Sequence, residues 1–270
     1  MTTNFDYITT QGRVSLTNAY RLYPVSAPLN QWIEHFWLLD VPEGNYCYRS
    51  LPDNCVDWIT NVNCPEYSYL IAPFMSSIVF DLHGPCTYLG IRFRLLGQHG
   101  LIREPVGSWG NHENGLLANE LVRSDLLAQL QDNIGKANTF DDICERLSGI
   151  LLMKMCQNQF DKRLVRYMGY CQQNISSRVS LSNRQCAEFG LSSRQLRRLS
   201  QLYLGVSPRD FARVIRFQQT LRVMNSCHNA TNWMTYYYDQ SHFIKEFKLL
   251  SGLTPTAIMN LSVLYNNDIK

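Results

Sequence analysis

YYYDQSHFIKEFKLLSGLTP, residues Tyr236 to Pro255, reads as one short helix with a stop at each end. Asp239 is placed to accept the first free backbone N–H groups, and Gly252 lets the chain turn out of the helix before Pro255. Phe243, Phe247 and Leu250 recur at helical spacing and face a core. The opposite stripe holds Gln240, Ser241, Lys245 and Lys248, all polar or cationic. Such a face suits a nucleic-acid groove, and it equally suits the solvated basic side of an ordinary amphipathic helix.

An earlier stretch repeats this plan. LSSRQLRRLSQLYLGVSP, Leu191 to Pro208, places the cap candidate Ser192 before a helix that stops at Gly205. Leu196, Leu199 and Tyr203 point inward, and Arg194, Arg197, Arg198 and Gln201 point outward. GVSP at Gly205 to Pro208 and GLTP at Gly252 to Pro255 are near copies, and Gln240 lies 46 residues after Arg194. FGLSS, Phe189 to Ser193, separates this helix from another over Ser182 to Phe189, the arrangement of a helix-turn-helix. The two stretches therefore form an internal repeat.

A connecting helix begins at Ser207-Pro208, with Asp210 in capping-box position, and continues to about Met224. At about 1.5 Å per residue it spans roughly 27 Å. Successive major grooves on one side of a duplex recur at about 34 Å, so such a connector holds both outer faces against one side of DNA. Arginine pairs with guanine and glutamine with adenine through two hydrogen bonds each, while the same positive charges serve phosphates.

Charge divides the chain in the same sense. Residues 1–160 carry 10 Lys+Arg against 16 Asp+Glu, and residues 161–270 carry 15 against 6. A basic C-terminal part dispersed among apolar residues favours a folded polyanion binder over a polybasic tail. No apolar run reaches the roughly 18 residues of a membrane span, and the N-terminus lacks the pattern of a signal peptide, so a cytoplasmic protein is expected. Nine cysteines without a CxxC pair argue against a disulfide framework or zinc ribbon.

Upstream, the pattern is two-periodic. Strands are expected over Ile33 to Leu39, Tyr46 to Arg49, Val56 to Val62, Tyr67 to Ile71, Ser77 to Leu82 and Tyr88 to Phe93, with prolines and glycines between them. This reads as a barrel or sandwich. In IRFR one face is packed and the other carries Arg92 and Arg94. Leucine-rich helices follow over Glu113 to Asn133 and Phe140 to Gln157, forming an intramolecular hairpin or a dimer seam. From Asp161 onward the sequence reads as helical with short breaks.

The segment from about Asp161 to Met259 resembles the DNA-binding domain of the AraC/XylS family of bacterial transcription regulators, on the residues Leu191 to Met224 and Tyr236 to Pro255. That resemblance implies DNA-facing roles for Arg194, Arg197, Arg198 and Gln201, and for Gln240, Ser241, His242, Lys245 and Lys248. Departures are Asn232 and Tyr236, where the family has a small residue and a glycine, and Gln185, where it has an apolar one. SLPDNCVDWITNVN, Ser50 to Asn63, and YLGIRFR, Tyr88 to Arg94, are similar to a cupin-like sensory domain that precedes some members.

The expected organisation is α+β. A β-rich cupin-like domain occupies 1–107, a helical linker or dimerisation hairpin 108–160, and a double helix-turn-helix 161–270, with units at about 179–205 and 229–252. The implied function is a sequence-specific transcription regulator, activator or repressor, with promoter DNA and RNA polymerase as partners. A homodimer and a small-molecule effector are further partners to test. The alternative is a small-molecule-binding or metal-dependent cupin-type protein in which DNA binding is secondary. His35, His83, His99 and His112 are isolated, Asp53 and Asp57 read as turn and strand-edge residues, and no nucleophile elbow or phosphate loop is present. Neither catalysis nor a metal or cofactor is expected.

Overall fold

The computed structural model describes residues 7–109, 115–157, 160–175, 182–226 and 233–266. Residues 20–117 contain six strands: β1 (Tyr20–Pro24), β2 (Ile33–Ser50), β3 (Asp57–Asn61), β4 (Ser68–Ile71), β5 (Ile78–Phe93) and β6 (Leu116–Leu117). They lie in the order β1-β2-β5-β3-β4-β6, each neighbour antiparallel. Alternation assigns the faces. Phe36, Leu38, Trp58, Leu70 and Ile91 join one core, while Trp37, Leu39 and Ile59 point to the other side.

Two pairs of expected strands are fused. Ile33 to Leu39 and Tyr46 to Arg49 belong to the single strand β2, and Ser77 to Leu82 and Tyr88 to Phe93 to β5. The glycines and prolines expected to end them instead form an irregularity between Val41 and Gly44, where Gly44 (φ 120°) faces Gly84. A Cβ on Gly84 would fall 1.7 Å from the Pro42 carbonyl oxygen, so only glycine lets the backbones meet there.

The helices α1 (Ala118–Leu121), α2 (Ser124–Lys136) and α3 (Phe140–Lys154) follow. The single helix expected over Glu113 to Asn133 is replaced by β6, α1 and α2, because Val122 and Arg123 are extended and Leu116 and Leu117 pair with β4. Leu126, Leu130, Ile134, Ile143, Leu147 and Leu151 pack on the Phe36 face of the sheet. The two long helices thus close the first core as an intramolecular pair.

The C-terminal part is helical: α4 (Lys162–Gln173), α5 (Asn183–Glu188), α6 (Ser193–Leu204), α7 (Pro208–Ser226), α8 (Gln240–Ser251) and α9 (Pro255–Asn260). One element departs from the helical expectation. Leu264–Asn266 forms β7, which pairs with Tyr46 to Tyr48 of β2 and returns the chain to the sheet. Among the described residues no helix is long and apolar enough to cross a membrane.

Candidate nucleic-acid interface

Local chemistry builds α6. The Ser192 hydroxyl accepts from the Gln195 backbone N–H, and the Gln195 side chain accepts from the Ser192 N–H, a complete capping box. Gly190 (φ 77°) makes the turn between α5 and α6, and Ser193 Oγ donates to Asn183 Oδ1 at 3.1 Å across it. Leu196, Leu199 and Leu204 pack with Cys186, Phe189 and Leu191 beneath the helix. Arg194, Arg197, Arg198 and Gln201 are exposed on the opposite side. Removing the cap with Ser192→Ala is expected to cost about 1 kcal/mol, read as a lowered midpoint in urea denaturation with an unchanged slope.

The helix α8 repeats this construction. Asp239 accepts from the His242 backbone N–H at 2.7 Å, and Gly252 (φ 74°) ends the helix. Phe243, Phe247 and Leu250 are buried, with the Phe243 and Phe247 ring centroids 5.7 Å apart and Phe217 of α7 5.1 Å from Phe247. Gln240, Ser241, Lys245 and Lys248 are exposed together with Ile244 and Leu249. His242 is half-buried, its ring 5.7 Å from that of Tyr237, and so lies at the side of the exposed face.

The connector α7 lies between two small cores. Phe211 and Ile215 belong to that of the first unit, and Val214, Phe217, Leu221 and Met224 to that of the second. Arg213 ties α7 to α8 by pairing with Glu246 at 2.9 Å while holding Asp210 at 3.1 Å. That pairing occupies the one acid of α8. Among the described residues no carboxylate pairs with Arg194, Arg197, Arg198, Lys245 or Lys248, so both outer faces present free positive charge. Gln201 is used locally, its amide donating to the Gly205 carbonyl at 3.1 Å.

The departures have partners. Gln185 turns its amide N–H to the Tyr170 hydroxyl at 2.8 Å, and the Gln219 amide donates to the Tyr236 hydroxyl at 3.4 Å. Thr220 Oγ1 lies 3.3 Å from the Tyr237 hydroxyl, so the tyrosines before α8 anchor it to the connector. Asn232 and His112 lie outside the described residues.

Residues 185–260 match the family model described as a helix-turn-helix domain, and residues 21–114 match one described as a domain of unknown function (DUF6597). The C-terminal part carries an AraC-type helix-turn-helix domain. Solved structures of ToxT from Vibrio cholerae are similar to much of the chain. One crystal form, and a complex with (E)-4-(8-methylnaphthalen-1-yl)but-3-enoic acid, are each 13% identical, cover 89% of this chain and 97% of theirs, and give a TM-score of 0.41. The unsaturated-fatty-acid-bound wild-type protein is 11% identical, with 89% and 94% covered and a TM-score of 0.38. No curated protein sequence matches.

Sequence reasoning missed how the AraC-type domain is held by the sheet. Asn54 Nδ2 donates to the Phe211 carbonyl at 3.1 Å, and Gln218 Nε2 donates to the Pro52 carbonyl at 2.7 Å, both on the connector. The Ser77 N–H donates to the Leu250 carbonyl at 2.7 Å, at the end of α8. A Cβ on Gly107 would fall 2.1 Å from the Gln201 carbonyl oxygen, so a turn of the first half abuts α6 as well. Behind these contacts lies a buried ion cluster. Arg92 Nη1 is 2.6 Å from Asp53, and Arg92 Nη2 is 2.6 Å from Asp57. Burial pushes the Asp53 carboxyl up, and the Arg92 guanidinium opposes that rise. Arg92 is therefore an internal clamp, and Asp53 and Asp57 are the turn and strand-start residues it holds. Among the described residues no three His, Cys, Asp or Glu are gathered as a metal ion requires.

Proposed function

We propose that this protein is a sequence-specific regulator of transcription that inserts α6 and α8 into successive major grooves. The observation that carries this reading is the pair of twelve-residue helices, capped and stopped alike, with unpaired cationic faces on one connector. Arg194, Arg197 and Arg198 on α6, and Gln240, Ser241, Lys245 and Lys248 on α8, read bases or hold phosphates. Gln201 and His242 flank these contacts. The chain divides at about residues 107 and 160, and the sheet half sets the posture of the reader through the Pro52, Asn54 and Ser77 contacts. It responds to a small-molecule effector and supports a homodimer that engages RNA polymerase at a promoter.

Selection from a random duplex pool, followed by competition mobility shifts, tests this. Selected sites should be bound at least about a thousandfold more tightly than random duplex at physiological salt; equal affinity would sink it. On a selected site, Arg197→Ala and Gln240→Ala should each lose about 1 to 3 kcal/mol of discrimination against the wrong base. Uniform weakening with a shallower salt slope would reassign that side chain to phosphate.

A further inference from the structure

Aligned on their caps, Ser192 with Asp239, and on their terminal glycines, Gly205 with Gly252, the helices α6 and α8 match position for position. Their inner sides agree. Leu196, Ser200 and Leu204 of α6 correspond to Phe243, Phe247 and Ser251 of α8, and all six are buried. On the outer side Arg198 corresponds to Lys245 and Gln201 to Lys248, exposed and polar or cationic in both helices. One outer position changes character. Where α6 has the exposed Arg197, α8 has Ile244, with 39% of its surface open to solvent.

The packing of the protein does not call for an isoleucine there. Ile244 is not among the side chains gathered in the core beneath α8, and a β-branched residue favours a helix less than the arginine that α6 uses. Its neighbours along the helix surface are polar, Gln240 and Ser241 in the turn before it and Lys248 in the turn after. The sheet half meets both helices at their C-terminal ends: a Cβ on Gly205 would fall 2.7 Å from Val106 Cγ1, and one on Gly252 2.9 Å from Arg49 Nη1. Arg197 and Ile244 lie in the N-terminal halves, the part of such a helix that meets base edges in a major groove. Guanine presents O6 and N7 there, which suit Arg197, and the C5-methyl of thymine is the apolar group of that groove. An isoleucine side chain has no donor or acceptor, so the methyl is the base-edge group it matches, and contact between them removes apolar surface from water. The flanking Lys245 and Lys248 supply the positive charge that holds such a helix to phosphates.

We infer that Ile244 is a specificity-determining residue that recognises the C5-methyl group of a thymine. The two helices, built alike, then prefer unlike bases, and the site they bind has a direction. This rests on the reading of α6 and α8 as the helices that enter DNA. Replacing each thymine of a selected site in turn by deoxyuridine, which lacks the methyl and pairs in the same way, tests it by mobility shift with the full chain. At least one replacement should weaken binding by about fourfold, the worth of one buried methyl group. In Ile244→Ala, a change at an exposed position that leaves the core beneath α8 intact, that same replacement should make no difference. No loss at any thymine, or a loss that persists undiminished in Ile244→Ala, overturns the inference. Competition with random duplex separates the two claims: equal affinity for random duplex removes the regulator, and selective binding with no effect of deoxyuridine removes this inference alone.

Discussion

Arg92→Met is expected to destabilise the folded chain by about 3 to 5 kcal/mol. The side chain is buried, and its guanidinium is the shared partner of two carboxylates from elsewhere in the sheet half. Methionine fills much of the same space and leaves Asp53 and Asp57 facing each other without a counterion, which is the costly way to break a buried ion pair. The effect should reach the helix-turn-helix domain. Asp53 lies between Pro52 and Asn54, whose backbone and side chain hold Gln218 and Phe211 of the connector. Urea denaturation followed by fluorescence should show the lowered midpoint. Asp53→Asn with Asp57→Asn in the Arg92→Met background should recover a large part of the loss, since the uncompensated charge is then gone. A loss under about 1 kcal/mol would mean that the cluster is not a clamp.

Phe247→Ala should cost a comparable amount, about 3 to 5 kcal/mol, for a different reason. Phe247 has no exposed surface, and its ring lies between those of Phe217 and Phe243. Truncation leaves a void that Val214, Leu221 and Leu250 close only in part, being held on helices already packed. The site lies directly under α8, so α8 should lose its fixed posture before α6 does. Hydrogen exchange should speed up first at the amides of α8, and protection of the DNA half-site assigned to α8 should fade at a temperature where the other half-site is still covered. Simultaneous loss of both halves would show the two units to be one cooperative block.

How much of this was legible in the sequence depends on the range of the interaction. The helices α6 and α8 were, because their determinants are local: Ser192 with Gln195, Asp239 with His242, Gly205 and Gly252 at the ends, and a buried stripe at helical spacing. The division of the apolar faces of the strands was also visible as alternation. The length of β2 and β5 was not, because Gly44 and Gly84 look like stops until they are seen facing each other. Leu116 and Leu117 satisfied a helical period and a strand equally well, and the pairing with β4 decided between them. The burial of Arg92 was hidden because its partners lie 35 and 39 positions earlier, and an arginine in an alternating strand reads as solvent-facing. The strand β7 was hidden for a similar reason, since its partner lies about two hundred residues upstream. The two capped helices are thus written in short stretches, and the way they are held is written in distant pairs.

The most direct test of the double reader is a hydroxyl-radical footprint of the full chain on a site chosen by selection. Two protected segments centred about one helical turn apart, on one side of the duplex, are predicted, with Gln240→Ala weakening one and Arg197→Ala the other. A single protected segment, or protection that does not depend on sequence, would contradict the account.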